Sequence, residues 1–123
     1  MARFETQRVV PKTANYTISP AVDKNGTLFT NEAASGTVIF TLPTPNRALL
    51  GQGYEFLSLV AQILRVAGAG STDIVTVANT GAASVSGPAA AGARLLAKCV
   101  RTASTGTYKW YVSGTNGQTY TVA

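Results

Sequence analysis

The feature that most constrains this chain is a two-residue rhythm in short apolar runs, each closed by turn residues. In GTVIFTLP at positions 36–43, Val38, Phe40 and Leu42 fall on one side, and Thr37, Ile39 and Thr41 on the other. A period of two is the side-chain spacing of a strand that turns one face to a core. β-branched and aromatic residues fill most of the run, as a pleated, half-buried surface favours. Pro43 and Pro45 then end it, because neither can donate to a sheet ladder. The rhythm returns in YEFLSLV, where Tyr54, Phe56 and Ser58 oppose Glu55, Leu57 and Leu59. It returns again in TYKWYVSG, where Tyr108, Trp110 and Val112 oppose Lys109 and Tyr111. NYTISP, TLFT, DIVTVAN and QTYTV add shorter runs.

Two segments admit a rival reading. In FLSLVAQILRVAG, Phe56, Leu59, Val60, Ile63 and Leu64 also recur at helical spacing, against two strands that bend at Ala61–Gln62. GARLLAKCVRT at 92–102 is compatible with a helix or with one long strand running from Gly92 to the STG turn. The strand reading is preferred for both. DKNG at 23–26 reads as a turn in which Gly26 takes positive φ, with flanking strands that suggest a hairpin. The count is then about eight or nine short antiparallel strands, with turns about every eight to twelve residues. The expected fold is an all-β sandwich or barrel.

With 123 residues, one domain is expected. Residues 1–14 lack clear periodicity and contain Pro11, so they read as an extended N-terminal arm, and 15–123 as a single β domain. Within the arm, Arg3, Phe4, Arg8 and Lys12 form a candidate contact set in which Phe4 is an apolar anchor. The alternative for this segment is an unstructured tail.

Charged residues make up only 12% of the chain, against 46% hydrophobic, with much Thr, Ser, Gly and Ala besides. That is about half the usual charged share, and it points to an exterior partly covered by other subunits. The net charge is +5, from ten Lys and Arg against five Asp and Glu. Those cations are dispersed, with no basic run and no aromatic-studded basic stretch, so direct nucleic-acid binding is not expected. An acidic protein partner suits mild basicity better. The N-terminus lacks a signal-type apolar region, and Glu55, Gln62 and Arg65 interrupt the longest apolar stretch, so no membrane span is expected.

Catalytic constellations are hard to build from these residues. Histidine is absent, which removes Ser–His and Cys–His nucleophilic sites within one chain. The lone Cys99 has apolar neighbours and reads as a small buried hydrophobe. Glu5, Asp23, Glu32, Glu55 and Asp73 are scattered, each beside a turn or at a solvent-facing position, which argues against a carboxylate pair. Zinc ligands are lacking, DKNG has one carboxylate where a calcium loop needs several, and GAGST has no Walker lysine. No enzyme activity, metal or cofactor is expected. Tyr108, Trp110 and Tyr111 remain as a possible surface aromatic site for sugar stacking, although a tryptophan in an alternating strand is more often core.

The order of these pieces carries a resemblance. GTVIFTLP, then GYEFLSLV, a Gly/Ala loop with DIVTV, an AAG turn into a long strand, and YKWYVSGTNG resemble small structural proteins of tailed bacteriophages, over about residues 27–117. Such modules serve as head decoration (cement) proteins and as tail-fibre domains. The resemblance implies a β-rich module that acts by surface contact, usually as a homotrimer. It implies the major capsid protein as partner and the virion capsid surface as location, after synthesis in the host cytoplasm. The arm residues Arg3, Phe4, Arg8 and Lys12 would then meet an acidic shell. The other placements are a tail-fibre module that binds a receptor or glycan, and a tail or neck connector.

Overall fold

A computed structural model describes residues 7–77, 79–103, 106–114 and 121–123. The strands are β1 (Val9–Pro11), β2 (Tyr16–Thr17), β3 (Leu28–Thr30), β4 (Val38–Thr41), β5 (Gly53–Leu57) and β6 (Leu64–Ala67). They continue as β7 (Ile74–Thr76), β8 (Asn79–Ala82), β9 (Ser84–Ser86), β10 (Arg94–Ala103), β11 (Thr107–Gly114) and β12 (Thr121–Val122). One 3-10 turn, Arg47–Leu49, interrupts them, with the Asn46 side chain accepting from Ala48 N–H at its start. The expected all-β architecture holds. A seven-stranded sheet in the order β1-β3-β5-β10-β11-β7-β8 and a five-stranded sheet in the order β12-β9-β6-β4-β2 form a sandwich.

Strand direction departs from the expectation. Five pairings are parallel, namely β1 with β3, β3 with β5, β2 with β4, β4 with β6 and β7 with β11. For the first four of these the cause lies in the connections. From β1 to β6 each strand belongs to the sheet opposite its predecessor. Every crossing reverses the chain, so strands two apart in sequence run the same way within one sheet. The returning strand does the crossover work usually given to a helix. DKNG is accordingly a turn but not a hairpin: Gly26 has φ +85° as anticipated, while β2 and β3 lie in different sheets.

Both ambiguous segments are strands. β5 and β6 are separated by a bend at 60–62 that carries the chain between sheets. Buried polar groups hold that corner. Asn31 Nδ2 donates to Ser58 Oγ at 3.0 Å, Leu59 N–H donates to Asn31 Oδ1 at 2.7 Å, and Ser58 Oγ lies 2.9 Å from Val60 O. The 92–102 segment becomes the ten-residue β10, which pairs with β5 on one side and β11 on the other.

The alternation places the core between the sheets. Phe29, Tyr54, Phe56, Trp110 and Val112 face inward from the larger sheet, against Val38, Phe40, Leu64 and Val66 of the smaller one. Phe29 and Phe40 bridge the layers with ring centroids 5.3 Å apart, and Phe40 and Phe56 do so at 5.4 Å. Tilted pairs of this kind add about 0.5–1.5 kcal/mol beyond simple burial. Cys99 is buried among them, and burial pushes its thiol pKa up, as suits a packing residue.

Candidate interaction surface

The arm residues are the first to place. Arg3 and Phe4 lie outside the described residues. From Gln7 onward the segment belongs to the sandwich. β1 runs parallel to β3 with Val9 opposite Leu28, and Val10 packs against the core. Arg8 Nη1 donates to Asp23 Oδ1 and to Val22 O, both at 3.1 Å. Lys12 Nζ sits 4.0 Å from the centre of the Tyr16 ring, a cation–π contact. Both cations are thus engaged within their own chain.

Asp23 is the centre of that clasp; it stands beside a turn, as DKNG implies, yet its carboxylate is turned inward. It is fully buried. Its carboxylate accepts from Tyr16 Oη at 2.7 Å and from Ser19 N–H at 3.0 Å, besides Arg8. Its backbone carbonyl accepts from Tyr54 Oη at 2.8 Å. Burial pushes the Asp23 pKa up, but donation from Tyr16, Ser19 and Arg8 together outweighs it and holds the group below the ordinary value. The same Asp23 hydrogen bond, with burial, raises the Tyr16 pKa. Desolvation raises that of Tyr54. The perturbed groups here hold parts of the fold together; they do not meet in an open cleft.

The aromatic set does not form one surface. Trp110 is fully buried between the sheets, and its Nε1 donates to Pro43 O at 2.8 Å. Its ring packs 5.9 Å from that of Tyr54. Tyr111 points to the opposite, outer face, directly across from Lys98, whereas Tyr108 lies across from Arg101. Strand alternation sets Tyr111 on the face opposite Tyr108 and Trp110, and with Trp110 fully buried its core reading is the correct one.

The outer face of β5, β10 and β11 is open to solvent. Cross-strand rows read Gly53–Lys98–Tyr111 and Glu55–Leu96–Ser113. Gly53 contributes no side chain, and an open hollow of about 440 Å³ results, walled by Asn25, Leu96, Lys98 and Tyr111 among others. Asn25 Oδ1 accepts from Gly53 N–H at 2.6 Å, which ties the 24–27 turn to the rim. The carboxylate in the lining, Glu55, is engaged by Arg94 at 2.6 Å. Lys98 has no ion-pair or hydrogen-bond partner among the described residues. Leu96 is 40% exposed beside it. In the sequence Lys98 is one of several dispersed cations; the hollow comes from strand pairing and cannot be read from spacing.

Among the described residues no three His, Cys, Asp or Glu side chains gather as metal ligands would. The fold defines a class, the two-sheet β sandwich with mixed strand directions. No protein-family model matches the chain, and no curated protein matches it.

Proposed function

We propose that this chain is a non-enzymatic structural module of a tailed-bacteriophage particle, a head decoration protein that binds the shell and bridges major capsid protein subunits. The observation that carries the reading is the outer face of β5, β10 and β11, where apolar Leu96 and cationic Lys98 stand unpartnered side by side on a rigid sheet. A face of that kind is suited to contact and has no group placed for bond chemistry. The likeness to phage structural proteins over about residues 27–117 gives the contact its setting. The low share of charged side chains, 12%, accords with a surface partly covered in an assembly. A homotrimer is the proposed form, on the virion exterior. About 800 Å² per partner would make each contact stable, and repetition over a shell adds avidity.

The test is co-sedimentation of the purified chain with heads assembled without it, together with light scattering to count subunits. Saturable binding by a trimer is expected. Failure to bind heads, with binding to tails or to a glycan array instead, would move the protein to the fibre or receptor class.

A further inference from the structure

We infer that the hollow at Gly53, Lys98 and Tyr111 is a docking site for an acidic, extended segment of the partner protein, a carboxylate side chain flanked by an apolar residue. Three hydrogen-bond donors border it uncommitted among the described residues: the Lys98 ammonium, the Tyr111 hydroxyl and the Asn25 side-chain amide, whose oxygen is already used by Gly53 N–H. Glu55, the one acid in the lining, is neutralised by Arg94. With Glu55 paired from outside the lining, the charge left at the hollow is the single Lys98 ammonium, which together with the neighbouring donors favours a carboxylate. Leu96 and the Tyr111 ring supply an apolar wall for the neighbouring residue of the incoming segment. Alternate side chains of an extended peptide meet such a surface two residues apart.

A second copy of this chain is a poor occupant, because it has few acids to offer. Asp23 is buried under Arg8, Glu55 is held by Arg94, and Asp73 accepts from Gly70 N–H at 2.7 Å. Among the described acids only Glu32 is left. A heterologous acidic partner fits the charge better.

The assignment deepens the shell-binding reading by naming which face makes the contact, and its test separates the two. The probe is a short synthetic peptide alternating Glu with Val, titrated into the full-length chain and followed by backbone amide NMR, with a Lys-for-Glu peptide as control. Shifts confined to Gly53, Lys98, Tyr111 and Asn25, weakened by added salt, are expected from the acidic peptide alone. Two variants probe the site. Lys98→Glu turns one attraction into a repulsion and is expected to weaken binding about tenfold. Gly53→Val puts a side chain into the hollow, and its Cβ would lie 3.5 Å from Ala97 O and 3.6 Å from Asn25 Oδ1, ordinary contact distances. It too is expected to weaken binding about tenfold while the thermal melt confirms folding.

Equal binding of both peptides, or undiminished binding by either folded variant, overturns the assignment. So does a wild-type oligomer that dissociates on Lys98→Glu, which would make the occupant another copy. Heads that bind both variants as well as wild type overturn the docking site and leave the shell role standing. Peptide binding at Lys98 without any binding to heads does the reverse.

Discussion

Arg8 and Lys98 are cations of the same seven-stranded sheet, one at the start of its edge strand and one in its middle, and they meet opposite fates. Arg8 reaches a buried carboxylate that also takes hydrogen bonds from Tyr16 and Ser19. Lys98 stands beside a glycine and makes no ion pair among the described residues. The difference teaches how this fold divides its scarce charge. Where a charge closes the structure, each of its partners is present. Lys98, left over, sits on an open sheet face beside the exposed Leu96, which is the composition of a surface made to be covered.

The comparison breaks most severely at Asp23. Asp23→Ala strands the Tyr16 hydroxyl, the Ser19 amide and the Arg8 guanidinium at once, and is expected to cost about 3 kcal/mol in urea unfolding. A loss below about 1 kcal/mol would mean that water replaces the carboxylate freely and that the clasp is ornamental. Acid is the gentler lever. The folded pKa of Asp23 lies below its ordinary value of 3.8, so its contribution is complete above that value and is lost as pH falls through the lower folded one. Stability is expected to decline below about pH 4 in the wild type, with a flatter profile in Asp23→Asn. Parallel profiles for the two proteins would remove Asp23 as the titrating group. The smallest effect belongs to the other cation. Lys98→Met should leave stability unchanged within about 0.5 kcal/mol, because nothing in the fold leans on the ammonium. A large loss there would show that Lys98 has a structural partner after all and would collapse the contrast.

The faces of the strands were legible from the sequence, and their directions were not. Val38, Phe40 and Leu42, then Tyr54, Phe56 and Ser58, then Trp110 and Val112, are all buried as their alternation implied. A period of two states which side a residue faces and says nothing about which way the neighbouring strand runs. The parallel pairings among β1 to β6 arise from short connections that switch sheets, and DKNG looks the same whether it closes a hairpin or turns a corner. The burial of Asp23 was hidden for a related reason. Its partners Arg8 and Tyr16 come from different strands, and only folding brings them to the one carboxylate. The arm was misread beyond Gln7 because three residues, Val9–Pro11, are too few to show a period. The aromatic cluster at Tyr108–Tyr111 could have been rejected from alternation alone, since Trp110 and Tyr111 are adjacent and must point apart. The hollow at Gly53 left no mark in the sequence except a glycine at the start of a strand.

The sheet-switching path of the first six strands also bears on how the molecule assembles. No two consecutive strands from β1 to β6 pair with each other, so nothing in that stretch can zip up locally. The ten-residue β10 and its neighbour β11 form the long hairpin that can close first, and β10 is also the strand on which β5 rests. Closing distant pairs carries a loop-entropy cost before any contact repays it. A ribosome delivers the zigzag before β10, so the pairing that ties β5 to the centre of the larger sheet has to wait for the C-terminal hairpin.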